Sequence, residues 1–123
     1  MSHDPVQAQL DAYNAHDVEA FAACYAADVK IFDATGTLVT EGTDALRARY
    51  AALFAGSPQL HAEVTQRTRI GTAAAWYVVD TEHVRGRREP GSPTRFDVLV
   101  LYAGRGPLIH EVRFLTPRVA QAD

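Results

Sequence analysis

The residues able to do chemistry fall in two regions of the chain. Asp33 closes the apolar run Val29-Lys30-Ile31-Phe32, just before the turn Ala34-Thr35-Gly36. A carboxylate there serves as a general base if burial lifts its pKa toward neutrality. It can equally bond its own backbone and form the turn. Later, charges alternate along two β-patterned runs: Asp80 and Glu82, then Glu111 and Arg113. Such alternation marks either a solvated strand face or a pocket wall whose charges are paired or partly protonated. The second arrangement suits acid–base work. Trp76, Val78, Phe96, Val98, Val100 and Tyr102 share the face of Asp80 and Glu82, which favours the wall. Trp76 either packs or stacks on a ligand. Tyr25 and Tyr50 lie on helical apolar stripes, as core residues or as hydroxyl donors into a cavity.

Other chemistries find little footing. Cys24 is the only cysteine and reads as a small buried hydrophobe. His61, His83 and His110 fall on the opposite sheet face, where a cross-strand His61–His83 pair with Glu63 is the nearest approach to a metal site. No metal and no cofactor are expected. His3 and His16 read as surface residues. No serine sits in a nucleophile elbow, and the glycines lack the strand–helix context of a phosphate loop. A net charge of -3 argues against nucleic acid or an anionic membrane as partner. No apolar run approaches a membrane span, and MSHDPVQAQ does not read as a signal peptide. One domain over residues 1–123, in the cytoplasm, is the expectation.

The elements that position these residues follow from pattern. Asp4 caps and Pro5 opens a first helix carrying Val6, Leu10 and Tyr13, ending near Asn14-Ala15-His16. Asp17 caps a second, with Ala20, Phe21, Cys24 and Tyr25 as its buried stripe. A strand to Asp33 turns at Gly36 and returns through Leu38-Val39. Thr43-Asp44 starts a third helix with Leu46, Tyr50, Leu53 and Phe54, which Gly56-Ser57-Pro58 ends. Four β runs follow, at 60–70, 74–84, 94–102 and 108–115. The layout is α+β, three N-terminal helices packed on an antiparallel sheet. The basic 85–93 loop reads as mobile and the tail beyond Pro117 as frayed.

Centring the first long hairpin on Gly71-Thr72 pairs Asp80 with Val64. Symmetric closure of the next loop sets Asp80 beside Val98 and Glu82 beside Phe96. A four-residue turn at 103–106 then sets Glu111 beside Val98 and Arg113 beside Phe96. Arg113 would reach Glu82 across about ten ångströms or pair with Glu111. The opposite face, with Asp97, Leu99 and Leu101, is also largely apolar and calls for a cover. A homodimer through this outer sheet face is expected.

Tyr13-Asn14-Ala15-His16-Asp17, Phe21, Tyr25-Ala26-Ala27-Asp28-Val29 and Gly42 leading into a helix carry a family resemblance. The chain resembles the nuclear transport factor 2-like (NTF2-like) superfamily, in its ketosteroid isomerase and SnoaL-like branch. The resemblance implies a cystatin-like cone, its antiparallel sheet curved around a pocket. It places Asp33 on the family's general base, and Tyr25 and Tyr50 on pocket tyrosines. The oxyanion-stabilising tyrosine falls on Gln9, and the oxyanion-hole aspartate on Val98, with Asp97 on the other face. The base position is matched and the oxyanion hole is not. Glu111 and Arg113 loosely resemble the arginine–carboxylate set of limonene epoxide hydrolases.

The function expected is a cofactor-independent isomerase or hydrolase acting by acid–base chemistry on a small apolar molecule. Asp33 is its base. Tyr25, Tyr50 and Arg113 stabilise charge, Glu82 and Glu111 hold Arg113, and Asp80, Trp76, Phe96 and Val98 line the site. The alternative is a non-catalytic ligand-binding protein or dimeric adaptor.

Overall fold

A computed structural model describes residues 4–121 of the chain; His3 lies outside them. Helix α1 spans Pro5–Ala15. The Asp4 carboxylate accepts from the Val6 and Gln7 amides, satisfying two of the helix's free donors. His16 ends the helix in the left-handed conformation, with φ 56°. Asn14 then ties the helix to the far sheet edge, its side chain exchanging hydrogen bonds with the Ala62 backbone at 2.8 and 2.9 Å. Helix α2 is a single turn, Val18–Ala22, capped by Asp17. Tyr25 therefore does not continue it. Tyr25 begins strand β1, Tyr25–Phe32, because the helix ends at Ala23 and the alternating run that follows suits a strand. Strand β2 (Leu38–Glu41) returns from the turn, and helix α3 spans Thr43–Gly56.

The remaining strands are β3 (His61–Thr72), β4 (Ala75–Arg85), β5 (Arg95–Arg105), β6 (Leu108–Phe114) and β7 (Val119–Ala120). The sheet order is β2-β1-β6-β5-β4-β3. Hairpins make β3 to β6 antiparallel, as expected. The sheet is nevertheless mixed, since β1 runs parallel to β6. β1 is separated from β6 by α3 and four strands, not by a hairpin, so nothing forces opposite directions.

The helices cover one sheet face. Phe21, 1% exposed, anchors this layer. Its ring lies 4.5 to 6.2 Å from those of Tyr13, Tyr25, Tyr50 and Phe54. Phe96, Val98, Val100 and Tyr102 of β5 are all buried beneath the helices, as their alternation predicts.

Register departs from expectation at each hairpin. The first closes on Ala73-Ala74, with Thr72 opposite Ala75, and is irregular between Val64 and Gln66. Asp80 thus faces Arg67, and Val64 faces Glu82. Between β4 and β5 the pairing is displaced by two residues, an even step that keeps the predicted face: Glu82 faces Val98 and Asp80 faces Val100. Between β5 and β6 the displacement is odd. The turn closes on Gly106-Pro107, with Arg105 opposite Leu108, an even displacement; the irregularity between Ala103 and Gly104 then adds one residue on β6, so Glu111 faces Ala103 and Arg113 faces Leu101. An odd step turns every side chain over. Glu111 and Arg113 therefore lie on the outer face, and Val112 points into the core, 4% exposed. His83 faces Glu63 and His61 faces Arg85, so the expected histidine pair does not form. The tail pairs with β5 through β7, Phe96 opposite Ala120 and Asp97 opposite Val119.

Candidate functional site

Helices α1 and α3 and the inner faces of β4, β5 and β6 enclose a chamber of about 50 Å³. Gln9, Tyr13, Tyr25, Tyr50, Glu82 and Tyr102 supply its polar wall, and Phe96, Val98, Val112 and Phe114 its apolar wall. Strand alternation aims Glu82 inward from β4, where it is 8% exposed. The Tyr102 hydroxyl donates to Glu82 Oε2 at 2.9 Å. Gln9 Nε2 donates to the Val6 carbonyl and reaches the Tyr102 oxygen at 3.4 Å, while Gln9 Oε1 accepts from the Tyr25 hydroxyl at 3.2 Å. Gln9 is thus the hub of a buried hydrogen-bonded chain ending at Glu82.

One row deeper, Asp80 is fully buried. It accepts two hydrogen bonds from Arg67, Nε to Oδ1 at 2.7 Å and Nη2 to Oδ2 at 2.9 Å. Arg67 also donates to Gln7 at 2.8 Å, closing the ion pair against α1. Asp80 spends its charge on that pair and does not line the chamber. Glu82 has no such partner. Desolvation, helped by the neighbouring Asp80 charge and opposed by the Tyr102 hydrogen bond and Arg67, pushes its pKa up to about 7. Burial raises the phenols of Tyr25, Tyr50 and Tyr102 as well, so these stay neutral donors. Among the described residues no hydrogen bond occupies the Tyr50 hydroxyl, yet no buried side-chain oxygen lacks a partner. Tyr50 lines the chamber.

The chamber leads to an outer vestibule of about 480 Å³. Arg49, Val98, Phe114 and Arg118 line both spaces and form the neck between them. Arg87 reaches the chamber from the β4–β5 loop and is 7% exposed. It donates twice to Glu89, at 2.6 and 2.9 Å, and Arg118 approaches the same carboxylate at 3.1 Å. The loop is held by Arg88 N donating to Ser57 Oγ at 3.1 Å and Gly86 N donating to the Thr94 carbonyl at 2.8 Å.

The expected site residues divide. Tyr25, Tyr50, Glu82, Phe96 and Val98 meet around the chamber. Asp33 lies at the vestibule wall instead. Its Oδ1 accepts from the Thr35 hydroxyl at 2.6 Å, the Thr35 amide at 2.9 Å and the Thr37 amide at 3.0 Å. The Thr35 hydroxyl first, then the Thr37 amide, hold this carboxyl below its ordinary range. The turn-forming alternative is the one the geometry realises. Glu111 and Arg113 pair with each other at 2.6 Å on the outer face, the guanidinium 4.0 Å over the Phe32 ring. They are turned away from Glu82 by the odd register step. Trp76 shares the inner face but lies past the narrow end, packed on Gly104 and donating to the Gly106 carbonyl at 3.0 Å. It lines neither space. Arg49, Arg87 and Arg118 were not legible as site residues; one sits on an otherwise ordinary helix, the others in a polar loop and a tail. Tyr102 was signalled by its alternation with Phe96, Val98 and Val100. No group of three metal-ligating side chains converges among the described residues.

Comparison with known proteins places this geometry. The model of the SnoaL-like domain family matches residues 6–112. No curated protein matches. Among solved structures, an uncharacterised cystatin-fold protein from Novosphingobium aromaticivorans is 35% identical, with TM-score 0.80 over 94% of this chain and 99% of that one. A candidate polyketide cyclase from Sinorhizobium meliloti is 22% identical, with TM-score 0.72 over 90% and 93% of the two chains. A candidate dehydratase of the NTF2-like family from Streptomyces avermitilis is 16% identical, with TM-score 0.73 over 89% and 88%. The last two relations establish shared fold alone. The fold is the cystatin-like, NTF2-like cone that the sequence resembles.

Proposed function

This chain belongs to the SnoaL-like domain family, and on that premise we propose that it is a cofactor-independent acid–base enzyme acting on a small molecule. Glu82 rather than Asp33 is the proton-transfer group in this reading. The observation that carries it is a buried carboxyl with a pKa of about 7 facing a chamber beside a free tyrosine hydroxyl. A group balanced near neutrality can both accept and return a proton. Glu82 takes a proton from a carbon next to a carbonyl, or from a bound hydroxyl. The Tyr50 hydroxyl donates to the oxygen on which negative charge develops. Glu82 then returns the proton at the product position. Tyr102 and Gln9 hold Glu82 in place. Isomerisation, cyclisation and dehydration share this requirement, and two neighbours of the same fold carry the names candidate polyketide cyclase and candidate dehydratase. The small chamber favours a second reading, a binding protein whose ligand fills only the vestibule.

The test is a turnover screen on ketosteroids, lactones and epoxides, with Glu82→Gln and Asp33→Asn compared on any substrate found. Glu82→Gln is expected to lower kcat by about a hundredfold or more, with Asp33→Asn within a few-fold of wild type. Wild-type kcat should change with pH around a midpoint near 7. Full activity in Glu82→Gln together with loss in Asp33→Asn would return the base role to Asp33.

A further inference from the structure

The neck of the cavity carries more positive charge than the fold needs. Arg49 and Arg118 line both chamber and vestibule, and Arg87 stands behind them in the chamber wall. The three guanidinium groups are close enough to press on one another: burial first, then Arg87 and Arg49, hold the Arg118 pKa below its ordinary value. One carboxylate, Glu89, answers them. It is spent on the bidentate bond to Arg87, with a single contact at 3.1 Å left for Arg118. Among the described residues, the hydrogen-bond partner of Arg49 is the neutral Thr40 hydroxyl, at 3.1 Å. Two guanidinium groups thus flank the passage without full neutralisation. The other acids of the two walls do not answer them. Asp33 has three donors on one oxygen, and Glu82 is bonded to Tyr102 at the chamber's inner end.

A structural role would place each arginine against its own carboxylate, as Arg67 is placed against Asp80. Crowding of like charges at an opening is stabilised when an anion enters, and the forked guanidinium matches carboxylate and phosphate oxygens alike. Val98 and Phe114, which line both spaces with the two arginines, offer apolar surface to whatever is attached to that anion.

We infer that the molecule taken by this cavity carries an anionic head group, a carboxylate or phosphate ester, held at the neck by Arg49 and Arg118, with an apolar body against Val98 and Phe114. This rests on the reading of the cavity as a small-molecule site and adds the class of its occupant. The carbon to be deprotonated would then lie a fixed distance inward of the anion, toward Glu82.

The experiment is calorimetric titration of the full chain with four matched probes: phenylbutyrate, phenylpropyl phosphate, phenylbutanamide and phenylbutylamine. At least one of the two acids is expected to bind about tenfold tighter than the amide or more. Added salt should weaken that preference, and Arg49→Gln/Arg118→Gln should abolish it. The better acid identifies the head group. Thermal unfolding of the unliganded variants checks that they are folded. Arg118→Gln alone, at a partly exposed position, carries the test if the double variant does not fold, with the preference then reduced. Equal binding of acid and amide, tightest binding of the amine, an unchanged preference in the variants, or no binding by any probe at about millimolar concentration would each overturn the inference. Glu82→Gln should keep the preference. Acid-selective binding without turnover on any substrate would sink the acid–base reading alone, and turnover without acid selectivity would sink only the anion site.

Discussion

At the scale of single residues, the two inward acids of β4 have opposite fates although they are two positions apart. Asp80 is fully buried but meets Arg67 in a bidentate pair; Glu82 is nearly as buried and meets only a phenol. Removing Arg67 strands a buried charge. Arg67→Met is therefore expected to cost about 3–5 kcal/mol in urea denaturation. Glu82 makes stability depend on pH in a particular direction. Unfolded, its carboxyl releases a proton near 4.5; folded, it holds that proton to about 7. Between those values the native chain binds more protons than the unfolded one, so stability falls as pH rises through the window, by about 3 kcal/mol in all. The loss is complete above the folded pKa. Glu82→Gln should remove this part of the slope. Unfolding midpoints of the variant and wild type at about pH 5 and about pH 8 provide the check: equal slopes would mean that Glu82 is not held protonated by its surroundings.

At the scale of elements, the site depends on connections more than on the regular segments they join. Sequence alternation put β5 and β4 on the correct faces, because an even error in register leaves faces unchanged. It failed at β6 because an irregularity between Ala103 and Gly104 inserts one residue on β6 beyond the turn, and no side-chain pattern on β6 distinguishes the faces: Val112 and Phe114 alternate with Glu111 and Arg113, and either set made a plausible wall. The β4–β5 loop contributes Arg87 through a backbone that only glycine follows easily. Gly86 has φ 83°, and a Cβ there would run into the Gln59 carbonyl. Gly86→Ala is expected to destabilise the fold by about 1–3 kcal/mol and to displace Arg87. A thermal unfolding scan measures the first. A loss of the acid preference in titration reports the second.

At the scale of the whole molecule, the helices cover one face of the sheet and leave the other half-exposed. Val79, Leu99, Leu101 and Ala103 lie there, with Tyr77 45% exposed. A second copy of the chain is the cover we propose, and light scattering at micromolar concentration is expected to give twice the monomer mass. A monomer there would show that the outer face stays open. The cone was implied by the family resemblance; what the sequence alone determined was set by local rules: the caps at Asp4 and Asp17, the end of α3, the hairpin order and the apolar inner face of β5. These depend on neighbours within a few positions or on period-two alternation, both legible in one chain. Which carboxylate holds a proton near neutrality was decided only by tertiary structure. Asp33 and Glu82 read alike as acids in apolar surroundings. Three short bonds from its own turn keep Asp33 ionised, whereas enclosure by α1, α3 and β5, with the Arg67 guanidinium already taken by Asp80, lets Glu82 hold its proton up to about pH 7. Desolvation depends on everything that surrounds a group, and that is fixed when the sheet register and the helix layer come together.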